Sequence, residues 1–153
     1  MSTTNDPNDP RLRNIGPDGM QESYLVLSEE ERALGFIRPV RRSYRHVGIA
    51  GPRFLLRDLT DDEATRYFGL GYVKYEEYPG DHIRVGRYWT QARLDAVGKG
   101  CGTVTTMGVQ IAETYASNPG FYGGTYCAGC STHLPVGRDG ELVWDGTNER
   151  VGT

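Results

Sequence analysis

The segment Phe121-Tyr-Gly-Gly-Thr-Tyr-Cys-Ala-Gly-Cys-Ser-Thr-His133 decides the fold, because it carries a Cys-x-x-Cys pair inside a predicted glycine-rich β-hairpin. Two thiolates separated by a tight turn are typical of a zinc knuckle, and the small residues between Cys127 and Cys130 suit such a turn. The third cysteine of the chain, Cys101, lies shortly before this segment. The three cysteines together predict a metal site that organises the surrounding fold.

Three thiolates leave one corner of a tetrahedral site to be filled. Cys101 lies at the predicted start of a helix, where backbone amides and the helix dipole favour the thiolate. His133 follows Cys130 closely, whereas His46 would arrive from a distant predicted strand, and the two are equal candidates for the fourth ligand. His82, in a predicted hairpin, is a lesser one.

The predicted ligand set is that of a structural zinc ion. Three sulfurs and one imidazole form a closed set without a position for water. The deaminase pattern, with a glutamate two residues after a histidine ligand, is absent after both His46 and His133. No catalytic residue is therefore predicted. Buried free cysteines and a redox-active Cys127–Cys130 pair remain the alternatives, although Ser131–Val136 does not favour the helix that usually follows a redox pair.

Length and composition predict one domain of short elements. The chain has 153 residues, of which 37% are hydrophobic, 21 are glycine and 8 are proline. Residues 1–20 are rich in Pro and Asp and poor in apolar side chains, which predicts a flexible N-terminal arm. Residues 21–153 form the predicted domain, of the α+β class, with short helices, antiparallel β-hairpins and a zinc-knuckle or zinc-ribbon-like site.

Local patterns place several elements. The segments Ser28–Glu31 and Thr60–Glu63 are capping boxes that predict helix starts. Alternating aromatic and polar residues predict a strand over 71–78, paired with a second over 82–89. Extended segments are expected at 36–40 and 43–47. A helix directly after Cys101 is predicted from apolar residues that recur at three- and four-residue steps: Val104, Met107, Ile111 and Tyr115.

Charge and hydropathy restrict the function. The net charge of −3 and the pI of about 5.6 argue against a surface generally coated by nucleic acid. No apolar run approaches the roughly 20 residues that span a bilayer. The N-terminus lacks the apolar core of a secretory signal, and the odd cysteine count disfavours a disulfide framework. We expect a protein of the reducing cytoplasm that does not enter a membrane.

Arginines cluster between residues 38 and 57. Their interleaving with aromatic residues is typical of a surface that binds phosphates or an acidic partner. The alternative is a charged edge strand that resists aggregation and forms salt bridges with the acids of the chain. The residues concerned are Arg38, Arg41, Arg42, Arg45, Arg53 and Arg57.

Several strings resemble those of small uncharacterised proteins encoded by bacteriophages and prophages. They are Cys101-Gly-Thr-Val-Thr-Thr-Met-Gly108, Ala112-Glu-Thr-Tyr-Ala116, Phe121–Cys130 and His133-Leu-Pro-Val136, with an Arg-Pro-Val-Arg…Tyr-x-His-Val segment at Arg38–Val47. The resemblance covers most of residues 34–153 and implies an origin in phage genomes, with a location in the host cytoplasm or the virion, but it implies no activity.

The leading functional prediction is a non-enzymatic accessory or binding protein folded around structural zinc. It would act on a protein partner or as a homo-oligomer. One alternative is a virion structural component, associated with capsid or tail, whose arm contacts neighbouring subunits. The other is a nucleic-acid-binding or nucleotide-processing protein that uses the arginine segment.

Overall fold

A computed structural model describes residues 2–80 and 86–153 of the chain. The strands are β1 (Thr3–Thr4), β2 (Tyr24–Leu25), β3 (Ser43–His46), β4 (Leu56–Asp58), β5 (Tyr72–Glu76), β6 (Arg87–Thr90), β7 (Val104–Thr106), β8 (Gly124–Cys127), β9 (Thr132–Pro135) and β10 (Leu142–Trp144). The α-helices are α1 (Glu29–Ala33), α2 (Asp61–Arg66), α3 (Gln91–Ala96) and α4 (Val109–Ser117), and a 3-10 helix covers Pro10–Arg13. Short helices and antiparallel sheets confirm the predicted α+β class.

The chain divides into two compact units. The first unit contains the residues up to Gly48 together with Gly100–Thr153, and the second contains Ile49–Lys99. The predicted division into an arm at 1–20 and one domain at 21–153 stays a prediction. Within the first unit, β1 pairs in parallel with β2, and Leu12 is buried in the core.

The core of the first unit lies between α4 and a three-stranded antiparallel sheet with the order β10-β3-β7. Tyr115 of α4 meets Trp144 of β10 edge to face at 5.8 Å between ring centroids, and Trp144 meets Tyr44 of β3 at 6.2 Å in the same way. Edge-to-face packing is the favoured arrangement of aromatic rings. The sheet therefore gains its stability on the face covered by α4.

The predicted glycine-rich hairpin is confirmed as the antiparallel pair β8–β9. Cys127 is paired with Thr132, and Tyr126 with His133. Ser131 closes the turn with a positive φ of 53°. The N-terminal segment approaches this turn closely, because a Cβ on Gly19 would lie 2.6 Å from the Ser131 carbonyl oxygen. Gly19, whose φ is +80°, is thus required both by its backbone conformation and by the lack of space.

The second unit is built around the antiparallel sheet β4-β5-β6. The Glu76 carboxylate, at the end of β5, accepts a hydrogen bond of 2.8 Å from Trp89 Nε1. It also accepts from the backbone amides of Arg53 and Phe54, at 2.7 and 3.1 Å. Glu76 is 6% exposed and Trp89 is 1% exposed, so these bonds satisfy a buried carboxylate that would otherwise be costly.

Two capping boxes are confirmed, and two element predictions are wrong. Ser28 and Thr60 each exchange hydrogen bonds with the glutamate three residues later, at the starts of α1 and α2. The predicted helix after Cys101 begins only at Val109, because residues 104–106 pair with β3 as a strand. Residues 36–40, which include Pro39, form no strand.

The described residues contain no helix with the length and apolar character required to cross a membrane. Residues 81–85, which include the candidate ligand His82, lie outside the described part of the chain.

Candidate metal centre

Four of the predicted ligand residues come together in the first unit. His46 is the last residue of β3, Cys101 lies in the loop before β7, Cys127 ends β8, and Cys130 lies in the following turn. One ligand atom from each residue, an imidazole nitrogen or a sulfur, lies within 4.8 Å of all the others. Three separate parts of the chain therefore meet at one set of donor atoms that are close enough to bind a metal ion.

Backbone pairing brings Cys101 to His46. The Gly102 amide donates to the His46 carbonyl oxygen at 2.9 Å, which continues the β3–β7 ladder past its formal end. A Cβ on Gly100 would lie only 2.2 Å from the same oxygen. Gly102 has a φ of +74°, which glycine adopts readily. The glycines on both sides of Cys101 therefore allow the loop to press against β3 and present the thiol to the histidine.

The Cys127–Cys130 turn is held against β7 and its preceding loop. The Ser131 amide donates to the Cys127 carbonyl oxygen at 2.8 Å, and the Ala128 amide donates to Thr105 Oγ1 at 3.0 Å. A Cβ on Gly129 would lie 2.4 Å from Thr103 Oγ1 and 2.7 Å from Cys101 Sγ. Only glycine fits at this position of the turn without moving the neighbouring thiol.

His46 presents its unprotonated ring nitrogen to the thiols. Its Nε2 lies 2.9 Å from Glu141 Oε1, and because an ionised carboxylate only accepts, Nε2 carries the proton of the neutral ring. The lone pair of Nδ1 then faces Cys130 Sγ at 3.4 Å, and the Cys101 amide donates to it at 3.2 Å. A histidine ligand whose other nitrogen donates to a carboxylate is a common arrangement at protein metal sites.

Two of the donor distances are close to those of tetrahedral coordination, and all donor pairs lie within 4.8 Å. A zinc ion about 2.3 Å from each sulfur and about 2.0 Å from a nitrogen separates two sulfurs by about 3.8 Å, and a sulfur from a nitrogen by about 3.5 Å. The distance from Cys101 Sγ to Cys127 Sγ is 3.5 Å, and the distance from Cys130 Sγ to His46 Nδ1 is 3.4 Å. The residues present thus fit a zinc-sized ion with small adjustments.

The electrostatics of the cluster favour a cation. Hydrogen bonds from Thr103, with contributions from His46 and Cys127, lower the pKa of Cys101 to about 6. Desolvation and the neighbouring Cys101 and Cys127 raise the pKa of Cys130 to about 11. The cluster therefore stabilises one thiolate and opposes a second one. A divalent cation would remove that opposition, because a coordinating thiol is deprotonated outright.

The pKa of His46 is also shifted from its usual value. Burial alone would lower the pKa of His46, but the hydrogen bond with Glu141 and the proximity of Cys101 outweigh it and raise the pKa above its usual value. His46 is only 6% exposed, so the ring is held in place by packing as well as by Glu141.

The structure does not place His133, the other candidate ligand, in the cluster. Residues directly opposite each other in an antiparallel pair share a face, and successive residues alternate between faces. Tyr126 and His133 therefore lie on the opposite face of the hairpin from Cys127. The His133 Nδ1 atom is instead 2.6 Å from the Gly19 carbonyl oxygen.

The arginine cluster is divided between the two units. Arg38, Arg41, Arg42 and Arg45 belong to the first, and Arg53 and Arg57 to the second. Arg41 forms an ion pair with Glu149, and Arg57 Nη1 lies 2.7 Å from Glu63 Oε1. These pairs are of the kind that the charged-edge alternative requires. Binding of nucleic acid or a partner by the six arginines stays a prediction.

Sequence reasoning missed Glu141 and Thr103. Glu141 is remote from every ligand in sequence, and no motif spacing connects it to His46. It follows from the sheet: β10 pairs with β3 so that Leu142 faces His46, which brings the preceding glutamate to the imidazole. A contact of this kind can be predicted only when the register of the two strands is known.

Fold and site together define a small α+β protein with a Cys₃His cluster suited to a metal ion. No protein-family model, curated protein or solved structure matches this chain.

Proposed function

We propose that the protein binds one zinc ion through Cys101, Cys127, Cys130 and His46 Nδ1, and that this ion is structural. The observation that carries the proposal is the orientation of His46, whose Nε2 donates to Glu141 while Nδ1 faces the sulfurs. Soft thiolates with one imidazole favour zinc over the harder cations calcium and magnesium. The low pKa of Cys101 supplies the first thiolate near neutral pH.

A structural role follows from what the ligands connect. His46 ends β3 of the three-stranded sheet and Cys101 lies in the loop that leads into β7, whereas Cys127 and Cys130 belong to the β8–β9 hairpin. One ion bound to all four would cross-link sheet and hairpin. Because a preformed site is rare in an unfolded chain, the free energy of metal binding would stabilise the folded state.

The same ligand set supports a binding or accessory role rather than catalysis. Catalytic zinc sites keep one coordination position for water or substrate, whereas three thiolates and an imidazole occupy all four positions. We propose that the zinc holds a surface which meets a partner, and that the protein acts through that surface. The resemblance to phage-encoded proteins and the virion alternative stay predictions.

The test is native mass spectrometry of the purified protein before and after chelation, with a thermal melt of each sample. One zinc per chain and a large fall in melting temperature on chelation are expected. His46→Ala should abolish stoichiometric binding, whereas the matched variant His133→Gln should retain one zinc. A metal-free protein with an unchanged melt, or equal metal loss in both variants, would overturn the proposal.

A further inference from the structure

A cavity of about 340 Å³ lies on the side of the hairpin that carries His133, within the first unit. One wall is formed by the N-terminal segment, through residues such as Leu12 and Ile15, and the other by the start of the hairpin, through Phe121 and Tyr122. The volume falls within the range of small-molecule sites, which are mostly apolar with a few placed polar groups. The lining of this cavity combines apolar side chains with the polar side chains of Arg13, Gln21 and His133.

His133, a residue of the cavity lining, carries an unsatisfied polar atom. Its Nδ1 must donate the 2.6 Å hydrogen bond to Gly19, because a carbonyl oxygen only accepts. In the neutral ring Nε2 is then an acceptor, and it is buried without a hydrogen-bond partner. Tyr24, which stacks on the ring at 6.4 Å between centroids, and Tyr126, edge-on at 5.9 Å, restrict its rotation. A buried acceptor held in this way is suited to a ligand that brings a donor.

Arg13 contributes a positive charge to the same lining. Within the described residues its guanidinium forms no ion pair or hydrogen bond. Arg11, two residues earlier, is paired with Asp9 at 2.7 Å. A guanidinium presents a planar fork of donors that matches a carboxylate. The unpaired cation next to an apolar wall therefore favours an organic acid over a neutral ligand.

We propose that this cavity binds a small aromatic carboxylate that also carries a hydroxyl group. The carboxylate pairs with Arg13, the hydroxyl donates to His133 Nε2, and the ring packs between Leu12, Ile15 and Phe121. This site is separate from the proposed zinc site, since His133 and Cys127 lie on opposite faces of the hairpin.

The test is isothermal titration calorimetry of the zinc-loaded protein, with metal content measured in every sample. The three probes are 4-hydroxyphenylacetate, phenylacetate, which lacks the hydroxyl, and 2-(4-hydroxyphenyl)ethanol, which lacks the carboxylate. We expect saturable one-to-one binding of the first, and affinity at least tenfold weaker for each of the others. No binding of the first probe, or equal affinity for all three, would overturn the proposal.

Three variants distinguish binding in the cavity from non-specific binding. Arg13→Gln should weaken binding of 4-hydroxyphenylacetate at least tenfold, whereas Arg11→Gln, the matched change at a paired arginine, should leave it unchanged. Gly123→Leu should block the site, because Gly123 lines the cavity and a Cβ there meets no atom within 4 Å. Equal binding by wild type and Arg13→Gln would contradict the assignment. All three variants should retain one zinc and the wild-type melt, so loss of ligand is distinguishable from loss of metal.

A second readout uses the wall formed by the N-terminal segment. The probe should slow tryptic cleavage after Arg13 in wild type, because a ligand bound to that residue restrains the segment. The same probe should leave cleavage unchanged in Gly123→Leu. Unaltered cleavage of wild type at saturating probe would count against the site.

Discussion

His46 Nε2 and Glu141 Oε1 lie 2.9 Å apart, so the residue directly before β10 determines which nitrogen of the candidate ligand is unprotonated. The carboxylate fixes the tautomer, and the tautomer points the lone pair of Nδ1 toward the three thiols. Most of the following predictions depend on this geometry or on the contacts around the cluster.

Replacing Glu141 should weaken metal binding without abolishing it. Glu141→Gln keeps an oxygen that accepts from His46 Nε2 but removes the negative charge that makes the imidazole a better ligand. Changes to such outer carboxylates cost about 10–100-fold in metal affinity. Competition with a chelating dye measures the effect, and Glu149→Gln, which alters an exposed carboxylate paired with Arg41, is the control. Unchanged affinity in Glu141→Gln would show that the contact does not tune the ligand.

Gly129→Ala should disrupt the site sterically. The added Cβ would lie 2.4 Å from Thr103 Oγ1, so the Cys127–Cys130 turn and Cys101 must separate. We expect a weaker metal affinity and a lower melting temperature in the presence of zinc. Gly120→Ala is the matched control, because a Cβ there meets no atom within 4 Å. A melt of Gly129→Ala equal to that of the control would argue against a close-packed turn.

The thiols of Cys101 and Cys130 should differ in reactivity in the metal-free protein. The pKa of Cys101 is lowered to about 6, so above that pH it is mostly the nucleophilic thiolate. The pKa of Cys130 is raised to about 11, so at pH 7.5 it is almost wholly the unreactive thiol. Alkylation by iodoacetamide, followed by peptide mass spectrometry, should modify Cys101 much faster than Cys130. The Cys101 rate should fall as the pH drops through about 6.

Denaturation provides the control for this experiment. In denaturant the thiol pKa values return to ordinary values, and the rates at Cys101 and Cys130 should converge. Equal rates at the two residues under native conditions would contradict the opposed shifts.

Glu76 should stabilise the second unit in a pH-dependent way. Burial alone would raise its pKa, but the bonds from Trp89 Nε1, Arg53 and Phe54 outweigh this and lower it. A group with a lowered pKa contributes its stability above its unfolded pKa, about 4.5, and loses it as the pH falls through the folded value. Glu76→Gln should cost about 1–3 kcal/mol at pH 7, because a buried donor loses its partner.

Chemical denaturation at pH 7 and pH 3 measures this effect. The difference between wild type and Glu76→Gln should be smaller at pH 3, which lies below the unfolded pKa of about 4.5, because the carboxylate of the unfolded chain binds a proton there more readily than the folded one. Glu77→Gln changes the exposed neighbour and should be neutral at both values. A pH-independent difference would mean that size or shape at residue 76, rather than charge, matters.

Local signals in the sequence predicted local structure well. The capping boxes at Ser28 and Thr60, and the β8–β9 hairpin around Cys127, depend on residues only a few positions apart. The three cysteines and His46 were also predicted from residue type and spacing. The choice between His46 and His133, with His82 as a lesser candidate, stayed open, because the face of a strand on which a side chain lies depends on the pairing of that strand.

The helix predicted directly after Cys101 is wrong for a physical reason. Val104 fits the helical spacing of Met107, Ile111 and Tyr115, but it also lies in a run of β-branched residues, Thr103-Val104-Thr105-Thr106. Such residues favour strands, and β3 offers an edge with which they pair. Long-range pairing overrides periodicity here. Glu141 and Gly19 were missed for the same reason, since each acts on a residue far away in sequence.

The chain leaves the first unit at Gly48 and returns at Gly100, at a point where Gly102 is hydrogen-bonded to His46. All of Ile49–Lys99 therefore lies in the chain between two candidate ligands, His46 and Cys101, that are neighbours in space. Insertions are tolerated where the ends of the excursion lie together. A short linker in place of those residues would leave all four candidate ligands in the chain, so the cluster belongs entirely to the first unit.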